Sequence, residues 1–208
     1  MMTSLLWGYI VTVLLLTITP GLDTAFILRT SLSQGGKQAF LAALGINLGL
    51  LCWGMLVAVG LGSLLMASAL AFSIIKYAGA CYLGWLGIRM LLKPRKSFRV
   101  DSKSAPVKAS GWHWMLSGLM TNLLNPKIGI FYVSFLPQFV PSGSNFPFYA
   151  LFLACIHVVL GILWCGGLIL MTRPFARHLQ SGNVVRWMDR ITGGVFLAFA
   201  ARLAVSRA

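Results

Sequence analysis

The chain has 208 residues, of which 58% are hydrophobic and 10% charged, and its mean hydropathy is +0.85. This composition leaves too little polar surface to cover a water-soluble globule of that size, so it excludes an ordinary soluble domain. A net charge of +14 would favour nucleic-acid binding in a soluble protein, but here most basic residues lie between apolar runs, which is typical of contact with anionic lipid.

Six apolar runs are each about as long as the roughly 20 residues that a helix needs to cross a bilayer. They predict an all-α integral membrane protein with one transmembrane domain over residues 1–208. The predicted spans cover residues 5–28, 39–66, 70–92, 113–137, 146–172 and 187–206.

The basic residues of the connections occur after the first, third and fifth spans, most densely in the loop 93–112. The connections after the second and fourth spans carry no Lys or Arg. Because basic loops stay in the cytoplasm, this alternation predicts a bacterial inner-membrane protein with both termini in the periplasm. Arg202 and Arg207 in the tail count against that orientation.

The first span contains the helix-breaking sequence Thr19-Pro20-Gly21, followed by Asp23. Of the other two acids, Asp101 lies in the basic loop and Asp189 at the cytoplasmic start of the sixth span, which leaves Asp23 as the carboxylate within a span. An acid within a membrane span is costly and is therefore a functional candidate. The alternative is that Asp23 reaches the interface or pairs with Arg29. Thr followed by Pro is also the pattern of an N-cap and a first helical residue, which predicts a second half-helix from Pro20 onward.

The fourth span repeats this pattern with Asn125-Pro126-Lys127. Two half-helix N-termini inside the membrane would attract an anion, and Lys127 adds a cation. Together with Asp23 for the ammonium, they suit an amino acid as a small-molecule substrate. The competing interpretation is that both prolines only kink their helices.

Three other polar residues lie deep in predicted spans, and each is about as compatible with helix packing as with ligand contact. We expect two of them to shape the site and the histidine to join a proton route. They are Asn47, Asn122 and His157.

The two halves of the chain resemble each other. Residues 76–85 and 190–199 share a base, a glycine, small residues and aromatics in the same order. Two three-helix halves predict an inverted repeat, 1–92 and 113–208, as in secondary transporters. Small residues four apart also allow close packing or a homodimer without any function. These pairs are Gly45 and Gly49, Ala80 and Gly84, and Gly194 and Ala198.

The sequence contains no nucleophile motif, no phosphate-binding loop and no metal-ligand spacing, so we expect no cofactor and no enzyme activity. The four cysteines all lie in predicted spans and are interpreted as packing residues. A membrane-embedded enzyme is the weaker alternative to a transporter. An accessory subunit without transport of its own is the stronger one.

Four motifs in order resemble the LysE/RhtB family of bacterial amino-acid exporters along essentially the whole chain. They are Thr19-Pro-Gly-Leu-Asp23, the stretch from Lys76 to Gly87, Thr121-Asn-Leu-Leu-Asn-Pro-Lys127 and Phe135-Leu-Pro-Gln-Phe139. The resemblance implies export of amino acids or their analogues driven by the proton gradient, and the acid at Asp23 looks more like the RhtB-type, homoserine and threonine branch. Many family members have Pro at the position of Leu22.

Overall fold

The computed structural model describes residues 2–61, 69–94, 109–172 and 182–205, and all regular structure in these ranges is helical. This confirms the all-α prediction. Within the described residues there are eight α-helices: α1 (Met2–Ile18), α2 (Leu22–Gln34), α3 (Gly36–Leu56), α4 (Ala69–Leu92), α5 (Gly111–Leu123), α6 (Pro126–Ile130), α7 (Phe146–Leu170) and α8 (Gly182–Val205).

The first predicted span is broken at Pro20, as the sequence predicts. Helix α1 ends at Ile18, α2 begins at Leu22, and their axes differ by 48°. The prediction that Thr19 is the N-cap of the second half-helix is wrong. The N-cap of α2 is Gly21, which has an extended conformation. Thr19 instead continues the last turn of α1, since both its amide and its hydroxyl donate to the Leu15 carbonyl.

The second break has the predicted cap. Helix α5 ends at Leu123, and Asn125 caps α6 by accepting a hydrogen bond from the Lys127 amide at 3.2 Å, with Pro126 as the first helical residue. Pro126 is tolerated there because an N–H at this position has no intrahelical partner. The helix then continues as a π-helical turn and a 3₁₀ turn. These turns cover Phe131–Phe135 and Leu136–Phe139.

Glycines set the close helix contacts. Helix α3 packs against α5 so tightly that a Cβ at Gly45 would overlap the Met115 carbonyl and one at Gly118 would overlap the Ala42 carbonyl. Helices α4 and α8 meet at Gly87 and Gly193, where a Cβ on either would lie under 3 Å from the other's carbonyl oxygen. The predicted packing role therefore holds for Gly45.

Gly194 does not have the predicted packing role, because nothing lies within 4 Å of a Cβ built there. Its neighbour Gly193 faces α4 instead.

Two helices of the described chain are long and apolar enough to cross a membrane: α3 with its π-helical extension (Gly36–Gly60) and α7. The bent pair of α1 and α2 makes a third if it is counted as one span. The end of the second predicted span, the basic residues of 95–108, and Arg173 and Arg177 lie outside the described residues.

Candidate functional site

A narrow cavity of about 40 Å³ lies between the two helix breaks. Four of the predicted site residues line it: Gly21, Asp23, Lys127 and His157. Most of its remaining wall is apolar and comes from α1, α3, α6 and α7. This wall includes Leu16, Ile46, Leu50, Ile128 and Leu168.

Asp23 is the second residue of α2 and is held from the other broken helix. Asn122, which is fully buried in the last turn of α5, donates its Nδ2 to Asp23 Oδ2 at 2.9 Å. The other carboxyl oxygen, Oδ1, is buried and has no hydrogen-bond partner within the described ranges. Arg29 lies six positions further along α2, on a different face of that helix. The carboxylate therefore faces the cavity and α5.

Lys127 reaches back to the first break. Its Nζ donates to the carbonyls of Leu16 and Thr19 at 3.0 and 3.1 Å. In a continuous helix the Leu16 carbonyl would accept from residue 20, but Pro20 has no N–H to give. A cation at the C-terminal end of α1 also interacts favourably with the helix dipole. Lys127 thus satisfies two of the carbonyls at the first break.

Two further polar residues predicted for the site are His157, which lines the narrow cavity, and Asn47, which does not. The Asn47 side chain is used in helix packing. Its Nδ2 donates to the Ala43 carbonyl, and its Oδ1 packs against Gly161. His157 is 2% exposed and its ring stacks on Tyr132 at 5.6 Å. Its Nδ1 has no hydrogen-bond partner in the described part of the chain.

A wide cavity of about 380 Å³ is lined by residues of both breaks and of α4 and α8, and it shares Gly21 and Lys127 with the narrow one. Its wall includes the other predicted residues: Thr19, Pro20, Asn125 and Pro126.

The wide cavity also has charged residues that sequence reasoning did not assign to a site: Arg89, Lys93 and Asp189. The sequence places Asp189 at the cytoplasmic start of the sixth predicted span. Instead it lies in the second turn of α8 and is 1% exposed. The spacing of buried residues on α8 was the signal that could have found it, because positions three and four apart share one helix face. That face carries Val185, Asp189, Thr192, Phe196 and Ala200.

The arrangement offers an anionic pole and a cationic pole within apolar walls. Among the described residues, no group of three or more His, Cys, Asp or Glu side chains could hold a metal ion. Opposite charges that line one small cavity are suited to binding a zwitterion.

Comparison with known proteins identifies the family. The family model of the LysE type translocators matches residues 14–207. A leucine efflux protein of Enterobacter sp. is 32% identical over 95% of this chain and 94% of its own length. A homoserine/homoserine lactone efflux protein of Salmonella typhimurium is 30% identical over 97% and 96%, and a membrane protein of Vibrio cholerae is 30% identical over 97% of both chains.

No solved structure gives a significant match. The match to the family model covers nearly the whole chain, and the relatives align over almost their full lengths. The chain therefore belongs to the LysE family of amino-acid efflux membrane proteins, and it is a multi-pass membrane transporter and not an enzyme.

Proposed function

We propose that this protein is a secondary active exporter of amino acids or their analogues, driven by the proton gradient across a bacterial inner membrane. The observation that carries the proposal is the meeting of Asp23 and Lys127 at one narrow cavity between two broken helices. The substrates named for its relatives, leucine and homoserine, are both small zwitterions.

The two poles suit the two ends of such a substrate. The ammonium group binds the Asp23 carboxylate, whose Oδ1 is buried without a hydrogen-bond partner in the described structure. The substrate carboxylate binds the Lys127 ammonium, which turns toward it from the carbonyls of Leu16 and Thr19. Asn122 holds the acid, and the apolar wall accommodates a side chain such as that of leucine.

The narrow cavity is too small for its substrate in this conformation. A buried water needs about 10–15 Å³, so a cavity of about 40 Å³ holds roughly three waters. Leucine and homoserine each have more non-hydrogen atoms than three water molecules, so neither fits in this volume. Transport therefore requires the cavity to widen, and the breaks at Pro20 and Pro126 are the points where α2 and α6 move relative to α1 and α5.

Proton coupling is assigned to the titratable groups at the cavity. Protonation of Asp23 removes the charge that binds the substrate ammonium, so proton binding and substrate binding compete. His157 lines the same cavity and is the second candidate for the proton route.

The proposed topology has six spans in two inverted repeats. In this scheme α1 with α2, α3 and α4 form the first repeat, and α5 with α6, α7 and α8 form the second. A broken helix at the start of each half supports this arrangement, because a repeat preserves such a feature in corresponding positions. The alternation of basic connections supports cytoplasmic loops after α2 and α4 and periplasmic termini.

Asp23→Asn tests the proposal. Cells loaded with amino acids through dipeptides should release leucine or homoserine faster when they carry the wild-type protein. The variant should remain in the membrane but lose export, because the amide has no charge for the ammonium and cannot take up and release a proton as a carboxylate does. Amino acids in the medium and protein in the membrane fraction are the two measurements.

The matched control is Asp101→Asn, which makes the same chemical change in the basic loop. It should export at the wild-type rate. Wild-type export by Asp23→Asn would refute the role of Asp23, and no accelerated release of any amino acid by the wild-type protein would refute the proposed function.

A further inference from the structure

One wall of the wide cavity combines a buried acid with two cations. Asp189 lines it from α8 at 1% exposure, and Arg89 and Lys93 line it from the C-terminal end of α4. A carboxylate removed from water in a membrane protein usually faces a charged partner or a polar cavity. Asp189 is therefore a second anionic pole beside the breaks, separate from Asp23.

This wall is held in place by close packing. Helices α4 and α8 touch at Gly87 and Gly193, and a Cβ at residue 193 would lie 3.1 Å from the Met90 Cβ. The Thr192 and Thr19 hydroxyls are hydrogen-bonded at 2.7 Å, which joins α8 to the first break. The two helices that carry these charged groups are thus packed on each other and joined to the first break.

The wide cavity has the size that the narrow one lacks. Its volume of about 380 Å³ lies within the roughly 300–1,000 Å³ that is usual for small-molecule sites. Leu22, Leu86 and Phe196 give it apolar surface next to the charged wall. This volume is large enough for a whole amino acid.

We infer that the wide cavity is a second binding site for the zwitterionic amino acid, where Asp189 accepts its ammonium and Arg89 and Lys93 bind its carboxylate. Because Gly21 and Lys127 line both cavities, the substrate passes the Lys127 ammonium on its way to the narrow cavity. The inference rests on the proposed function and adds a loading site to it. In the proposed topology this site opens toward the cytoplasm, as an exporter requires.

The test uses the purified full-length protein in liposomes, with labelled leucine and homoserine as probes. The double variant Arg89→Gln, Lys93→Gln should raise KM about tenfold, the loss expected for one charge-assisted contact. Its maximal rate should change little, because saturating substrate still reaches Asp23. Lys37→Gln is the matched control, since it removes an exposed cation that lines neither cavity and should keep the wild-type KM.

Asp189→Asn should raise KM in the same way, and Asp189→Glu should restore part of the affinity. If the buried substitution prevents folding, the exposed Arg89 and Lys93 carry the test alone. A second measurement is direct binding of labelled leucine. Protein with Asp23→Asn should still bind leucine, and adding Arg89→Gln and Lys93→Gln should remove that binding.

The outcomes separate the two proposals. A wild-type protein that transports leucine, with KM unchanged in the Arg89 and Lys93 double variant, would overturn the second site and leave the proposed function intact. A wild-type protein that moves no amino acid would overturn both.

Discussion

Lys127 joins the two breaks, since it lies in the first turn of one half-helix and donates to two carbonyls at the end of another. Replacing Lys127 by Met should therefore lower stability as well as transport. Each buried carbonyl left without a donor costs about 1–3 kcal/mol, so we expect a lower unfolding temperature for the purified protein. Lys127→Arg should recover part of the stability because it keeps the charge and the donors.

Lys37→Met serves as the control for Lys127, because it removes an exposed cation of α3. It should keep the wild-type unfolding temperature. An unchanged unfolding temperature in Lys127→Met would show that its two hydrogen bonds do not stabilise the break.

Local chemistry made some of these residues predictable. Proline removes a backbone donor wherever it occurs, so both breaks follow from the sequence, and so does the Asn125 cap. The partners across the site do not. Asn122 and Asp23 are 99 residues apart, and Lys127 and Leu16 are 111 apart. Contacts of that kind depend on how helices pack, which local patterns do not specify.

At the scale of helices, the glycine contact between α3 and α5 gives a prediction with a clear sign. Gly118→Ala places a methyl group on the Ala42 carbonyl, and such overpacking typically costs about 1–3 kcal/mol. Gly166→Ala in α7 meets nothing within 4 Å, and alanine is the better helix former by about 1 kcal/mol. Thermal unfolding in detergent should show the first variant destabilised and the second not. Equal unfolding temperatures would contradict the close packing of α3 on α5.

Helix boundaries explain why Asp189 was missed. Hydropathy places the start of the last span at residue 187, because the charged residues before it lower the average. Helix α8 begins at Gly182, five residues earlier, so Asp189 lies in the second turn of the helix and not among its first residues. The buried face of α8 from Val185 to Ala200 includes Asp189. Helical spacing can indicate such a buried face even where the mean hydropathy is low.

For the whole molecule, the orientation in the membrane follows from charge and is open to a simple test. A reporter fused at Ser102, in the basic loop, should give the signal of a cytoplasmic location. One fused at Ser142, between the 3₁₀ turn and α7, should report the periplasm. The same compartment for both sites would rule out the proposed odd number of spans between them.

Transport by the chain alone separates an exporter from an accessory subunit. The purified protein is placed in liposomes that contain labelled leucine or homoserine, with a pH gradient across the membrane. We expect faster release than from loaded liposomes without protein, and a rate that responds to the pH gradient. This release should disappear in Asp23→Asn but not in Asp101→Asn. Release at the rate of protein-free liposomes under every pH gradient would show that this chain does not transport amino acids by itself.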